Sequence, residues 1–142
     1  MGTTAGDRDS GAPAKVEELA EDACLELLGT KEVGRVAYND PEGPVVMPVN
    51  YVLQDDTVLF RIAPHSRLAD RLRDGAASFE VDHIDEATRT GWSVLVQGHA
   101  ARADSWDLPE AESRPTPWAE GSRNLHVRLS PHHISGVRLI SR

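Results

Sequence analysis

The chain has 142 residues, enough for one domain with a true core and short for two. Apolar residues make up 39% and charged residues 27%, which excludes a disordered chain, while aromatics at 5% leave Val, Leu, Ile and Ala to fill the core. A net charge of -8 without a basic stripe argues against a nucleic-acid partner.

Cys24 is the only cysteine, so an internal disulfide framework and a Cys-rich zinc site are both excluded. No stretch approaches 18 consecutive apolar residues, and the N-terminus lacks a charged-then-apolar signal pattern. The expectation is a soluble cytoplasmic protein with no membrane partner.

Residues 1–14, MGTTAGDRDSGAPA, have almost nothing to bury and read as a floppy leader to a single domain over 15–142. Val16, Leu19, Ala20, Ala23, Cys24, Leu27 and Leu28 then recur at helical spacing, which predicts an N-terminal helix closed by Gly29. Cys24 lies on the buried stripe, as a small core residue would. From Val33 the period shortens to two. Strands are predicted over 33–39, 45–53 and 57–63, separated by turns at Asp40-Pro41-Glu42-Gly43 and Gln54-Asp55-Asp56. Pro64-His65-Ser66 breaks the pattern, and Ser66 is placed to cap a short helix carrying Leu68, Ala69 and Leu72 and ending at Gly75.

Residues 78–82 alternate as a strand, and after a polar loop 91–102 form a longer one. Residues 104–124, rich in Pro, Ser and Glu, form an irregular segment too long for a plain connector. Strands over 125–129 and 134–140 complete the set. Seven short strands, an N-terminal helix and a short crossover helix, joined mostly by tight turns, define a mainly β fold. An antiparallel barrel suits them better than a parallel βαβ sheet.

Pro48 stands inside its strand and cannot donate to a ladder, so that strand belongs at an edge or beside a bulge. Asn50 follows in an otherwise apolar run. Such an edge could offer backbone groups to a flat ligand, although a plain irregular edge strand is the simpler reading of the period. Arg61, Ser66 and Arg67 flank the predicted start of the short helix. Two guanidinium forks, a hydroxyl and free helical N–H groups suit a phosphate. The same spacing equally lets Ser66 cap the helix while the arginines pair with Asp70 or Asp74.

His126, His132-His133 and Asp82-His83 with Asp85 lack metal-ligand spacing, so no metal site is expected. No Gly-x-Ser-x-Gly elbow, phosphate-binding P-loop or Rossmann glycine pattern is present. The acidic residues from Glu17 to Glu26 read as a solvated helix face.

Taken in order, LGTKEVGRVAY (28–38), PVVMPVNYVL (44–53), LFRIAPHSRLADRLR (59–73), FEVDHID (79–85) and GWSVLVQGHA (91–100) resemble the pyridoxamine 5′-phosphate oxidase-like superfamily. The likeness is greatest to its short actinobacterial-type members and spans about residues 15–142. It implies an FMN-binding split β-barrel that forms a homodimer with two flavins at the subunit interface. Pro48, Val49, Asn50 and Tyr51 would lie along the isoalloxazine ring, and Arg61, Ser66 and Arg67 would hold the FMN phosphate with Ile62 beside them. Trp92, Gln97 and Trp118 would be flavin neighbours, some supplied by the partner subunit.

His65 and Ile62 depart from the family, standing where relatives often carry Gly and Thr. The residues with which pyridoxamine phosphate oxidases hold their substrate phosphate are not recognisable, which speaks against vitamin B6 oxidation. The resemblance therefore implies a flavin-dependent oxidoreductase acting on a small molecule of unassigned identity, with no catalytic acid or base apparent. The alternatives are a reductase using the deazaflavin coenzyme F-420, a nitroimidazole-reductase-like protein among the reductases, and a non-catalytic module binding flavin or haem.

Overall fold

The computed structural model describes residues 13–64, 66–72 and 74–141. The expected leader, through residue 12, lies outside the described residues, as does His65. Among the described residues, seven strands and two helices run in the order β1 (Lys15–Leu19), α1 (Glu21–Leu28), β2 (Val33–Asp40), β3 (Gly43–Gln54), β4 (Thr57–Ile62), α2 (Arg67–Arg71), β5 (Asp74–Asp85), β6 (Thr90–Arg102) and β7 (Leu125–Ile140). All strand pairs are antiparallel, in the order β1-β7-β4-β3-β2-β5-β6, and a further β7–β6 pairing closes six of the strands into a ring. The expected antiparallel split barrel is the fold.

Local chemistry accounts for the turns. Asp55 and Asp56 take φ of 51° and 62°, the paired left-handed geometry whose twist matches a two-residue hairpin, and Asp tolerates it through its short polar side chain. The core lies inside the ring, where Val36, Phe60, Phe79, Val81, Val94, Val96 and Leu129 are fully buried. Tyr51 meets Phe79 edge to face, with ring centroids 4.8 Å apart. Glycine is required at Gly34, because a Cβ there would sit 2.2 Å from Phe79 Cζ. Helix α1 lays Cys24 and Leu28 into the same core. Burial, followed by the charges of Glu21 and Asp22, pushes the Cys24 thiol pKa up, in keeping with a packing role.

Four expectations of secondary structure need correction. The helical spacing from Val16 to Leu28 is divided between two elements. Residues 15–19 form β1 along the far end of β7, from Lys15 opposite Ile140 to Leu19 opposite Gly136. Val16 is 63% exposed, so its helical spacing was coincidental, and the free edge of β7 recruits the segment instead. Helix α2 stops at Arg71, and Gly75 belongs to β5, which has 12 residues rather than five.

The two C-terminal strands are one strand of 16 residues. Pro131-His132-His133 does not interrupt it because the partner register shifts from Gln97–His133 to Gly98–Pro131, leaving His132 as an extra, bulged residue. A Cβ at Gly98 would come within 2.1 Å of the Ser130 carbonyl, so glycine is needed at that bulge.

Candidate functional site

Strand β3 has two halves. Tyr51 to Gln54 pair with β4, but the β4 pairing ends at Tyr51–Phe60, whereas β2 accompanies β3 from Gly43 to Asn50. Residues 43–50 therefore have one open edge. The two-residue hairpins at each end of β3 fix which groups face it: odd residues bond towards β2, as Tyr51 N–H does to the Glu32 carbonyl, and even residues face the opening. The even residues are Pro44, Val46, Pro48 and Asn50. Two prolines thus remove two of the four N–H donors and leave an edge rich in carbonyl acceptors. The edge position that Pro48 predicted is found here.

That edge forms one wall of a cleft of about 420 Å³. Pro48, Val49, Asn50, Arg61, Ile62, Ser66 and Arg67, all singled out in the sequence, line it together. Tyr38, Val45, Met47, Ala63 and Leu68 join them, with Ala119 and Arg123 from the 103–124 segment. Arg123 gave no sequence signal, because its approach depends on how that irregular segment returns across the barrel.

Arg61 and Arg67, at the cleft, are held in different ways. Arg61 donates from Nε to the Arg123 carbonyl at 2.9 Å and from Nη1 to the Pro115 carbonyl at 3.1 Å. A guanidinium has five N–H donors, so donors remain beyond those two. Arg67, 65% exposed, has Nη1 3.6 Å from Asp40 Oδ2, while Arg71 Nε lies 3.0 Å from Asp40 Oδ1. The Asp40 side chain is buried, and it ties α2 to the end of β2. Asp40, which the local spacing did not suggest, is thus a carboxylate paired with Arg67.

Ser66 caps α2: its Oγ accepts from Ala69 N–H at 3.1 Å and donates to the Ala63 carbonyl at 2.8 Å. Its hydroxyl proton is engaged within the turn, and α2 is only five residues long. The cationic character of this end therefore rests on the arginines.

The 103–124 segment contains two short 3₁₀ turns, at Ser105–Asp107 and Ala111–Ser113, and is fastened through its backbone. Besides Arg61, Arg128 Nη2 donates to the Asp107 carbonyl at 2.9 Å, and Arg114 Nε to the Pro109 carbonyl at 2.8 Å. Trp118 N–H donates to Asn50 Oδ1 at 3.0 Å, linking the segment to the open strand. His126, opposite Arg61 across β4 and β7, is buried, and its Nε2 has no hydrogen-bond partner. Burial, then the charges of Arg61 and Arg114, lowers its pKa to about 4, against a weaker opposing hydrogen bond to the Asn124 backbone.

Four predicted residues stand apart from the cleft or touch it differently. Tyr51 points inward and is 2% exposed; its hydroxyl donates to the Leu28 carbonyl, and burial raises its pKa. Alternation along β3 sends it to the core when its neighbour Asn50 faces the opening. Trp92 is half-buried against the core. Gln97 lies on the outer face of β6, in a separate concavity. The Trp118 ring is 69% exposed, although its backbone reaches Asn50. Among the described residues, no group of three or more His, Cys, Asp or Glu side chains is placed to hold a metal. No helix is long and apolar enough to cross a membrane among those same residues.

The chain is thus a small antiparallel split β-barrel with a cleft between an open, proline-marked strand and a cluster of arginines. The sequence profile described as pyridoxamine 5′-phosphate oxidase matches residues 20–138, and the chain belongs to that family. It is similar to a FAD-binding protein from Mycobacterium smegmatis, with 33% identity, covering 86% of this chain and 98% of that one at a TM-score of 0.74. A FAD-binding protein from Mesorhizobium loti shares the fold at 22% identity and a TM-score of 0.71, covering 89% and 98% of the two chains. An uncharacterised Mycobacterium tuberculosis protein is 28% identical over 133 residues, covering 89% of this chain and 88% of its own.

Proposed function

We propose that this chain is a flavin-binding oxidoreductase whose cleft holds a flavin nucleotide, FMN in the simplest form, and that it acts on a small molecule. The observation that carries this reading is the open β3 edge facing Arg61, Arg67 and Arg123 across one cleft. A ring with a polar edge can hydrogen-bond to the exposed backbone groups of residues 46–50 while its phosphate meets the guanidiniums. The similar Mycobacterium smegmatis protein binds FAD, which supports a flavin nucleotide as the ligand.

A bound flavin would supply the electron transfer, and the protein's part is to hold it and shape access to the ring. Pro48, Val49 and Asn50 would position the ring, with Tyr51 fixing their register from the core side. Arg61 and Arg67 would bind the phosphate, with Ser66 holding the turn between them and Ile62 packing beneath. Arg123 adds a third donor group. The compact group of arginines suits a phosphate better than the long anionic tail of coenzyme F-420.

The same reading includes a homodimer with the flavin at its interface. Val46, Met47 and Trp118 are 60%, 42% and 69% exposed close to the cleft, an apolar rim that a second copy would cover. Trp92 and Gln97, which do not line the cleft of their own chain, would approach a flavin across such an interface. Light scattering at micromolar concentration should report a dimer; a monomer would remove the shared site.

The deciding experiment is the ultraviolet–visible spectrum of the purified protein after FMN is added and the excess removed. About one flavin per chain should be retained, and reduction by a nicotinamide nucleotide followed by reoxidation by a small acceptor would establish turnover. A colourless protein overturns the flavin reading. Arg67→Ala should weaken FMN binding by about 1.5–3 kcal/mol, roughly 10- to 150-fold, in a fluorescence titration. Unchanged affinity would remove Arg67 from the phosphate site.

A further inference from the structure

Asp40, the last residue of β2, has a side chain only 3% exposed and divides its two oxygens between two arginines. Oδ1 accepts from Arg71 Nε at 3.0 Å. Oδ2 lies 3.6 Å from Arg67 Nη1 and accepts from the Glu42 backbone N–H at 3.5 Å. Arg67 and Arg71 are four residues apart in α2 and so share a face, where two like charges repel unless a counter-charge stands beside them. A buried carboxylate is in turn costly without cationic partners, so each side of the cluster holds the other in place.

Arg67 lines the cleft, whereas Asp40, Glu42 and Arg71 do not. A ligand in the cleft can therefore meet the Arg67 guanidinium without touching Asp40. The Arg67 side chain is 65% exposed, and an exposed arginine with no anchor samples many rotamers that a phosphate contact must freeze. A guanidinium has five N–H donors, so an anchor at Nη1 leaves others for a second anion.

We propose that Asp40 is a positioning residue: it holds the Arg67 guanidinium at the cleft in advance, so that the phosphate of a flavin nucleotide meets a donor already in place. The proposal rests on the flavin reading above. Two effects of the carboxylate oppose each other. Its charge repels a phosphate, while its grip on Arg67 lowers the conformational cost of the phosphate contact. Arg71 shares the same carboxylate and offsets its charge, so the ordering of Arg67 is the larger effect.

Titration of the full-length protein with FMN and with riboflavin, which has the same ring and no phosphate, tests this. In Asp40→Asn, FMN binding should weaken about 3- to 10-fold while riboflavin affinity stays within twofold. Asp40→Asn combined with Arg71→Gln leaves the local net charge unchanged and should show the same selective loss. Thermal melts will verify that both variants remain folded. In an Arg67→Ala background, adding Asp40→Asn should change FMN affinity by less than about twofold, because Asp40 acts through Arg67. An unchanged or tighter FMN affinity, equal weakening of both flavins, or full additivity with Arg67→Ala overturns the positioning role and leaves the flavin cleft standing. Binding of neither flavin by the wild type overturns the flavin reading and this role with it.

Discussion

The wall formed by β5, β6 and β7 and the side where β3 parts from β4 are built in opposite ways. In the wall, β5 and β6 pair from Asp74–Ala101 to Asp85–Thr90, and β6 continues onto β7 from Gly91 to Arg102. Its inward residues Phe79, Val81, Val94 and Val96 are excluded from solvent. On the other side the backbone ladder stops, prolines remove donors, and arginines fasten a long irregular segment by its carbonyls. The paired wall supplies cooperative stability, and the unpaired side keeps polar groups free for a ligand.

The largest effect should come from breaking the wall. Phe79→Ala removes a fully buried ring that touches Tyr51 and should cost about 3–5 kcal/mol, read as a lower urea midpoint. A loss below about 1 kcal/mol would show that the wall is not where stability resides.

The next effect belongs to the fastened segment and depends on pH. The His126 pKa falls from an ordinary 6.5 to about 4 in the folded protein, so the unfolded chain takes up a proton first as the solution is acidified. The neutral imidazole's contribution is complete above about pH 7 and declines as pH falls towards 4, a loss of about 2 kcal/mol by pH 5. Urea midpoints at pH 7 and pH 5 should separate by less in His126→Gln than in the wild type. Equal separation would mean that His126 titrates normally.

A smaller effect is expected at the link between segment and strand. Asn50→Ala removes the acceptor for Trp118 N–H and should cost about 0.5–1.5 kcal/mol, with faster amide exchange confined to the segment around Trp118. Exchange that is unchanged there would show that the hydrogen bond does not hold the segment. The smallest change in global stability should come from Pro44→Val with Pro48→Val. Restoring two donors completes the open edge, so the expected outcome is increased self-association by light scattering, with little shift in the midpoint. No gain in association would mean that the prolines do not protect the edge.

How much of this was legible differs between the two sides. On the wall, the alternation of Phe79 and Val81 with polar neighbours marked a half-buried strand, but not its full length, because Asp74 and Gly75 read locally as the end of a helix. The Pro131-His132-His133 break likewise hid the continuity of β7, which a register shift against Gly98 preserves. On the open side, Pro48 disclosed an edge because a missing donor is a property of the residue itself. The complementary placement of Pro44 depends on the hairpin parity that the fold establishes. Arg61 and Arg67 were legible as charged residues flanking a turn, whereas the pairing of Arg67 with Asp40 required two elements distant in sequence to meet.

The sequence by itself determined the antiparallel barrel class, through a two-residue period punctuated by turn formers, and the position of the open strand, through proline. It also brought out most of the cleft-lining polar residues, because they are close together in the chain. Only the tertiary structure decided that residues 15–19 pair as a strand, that Tyr51 turns inward, and that Arg123 reaches the cleft. Each of these depends on partners many residues away: a free β7 edge, the core around Phe79, and the returning 103–124 segment. Local propensity carries no information about such meetings, since their free energy arises only when the barrel closes.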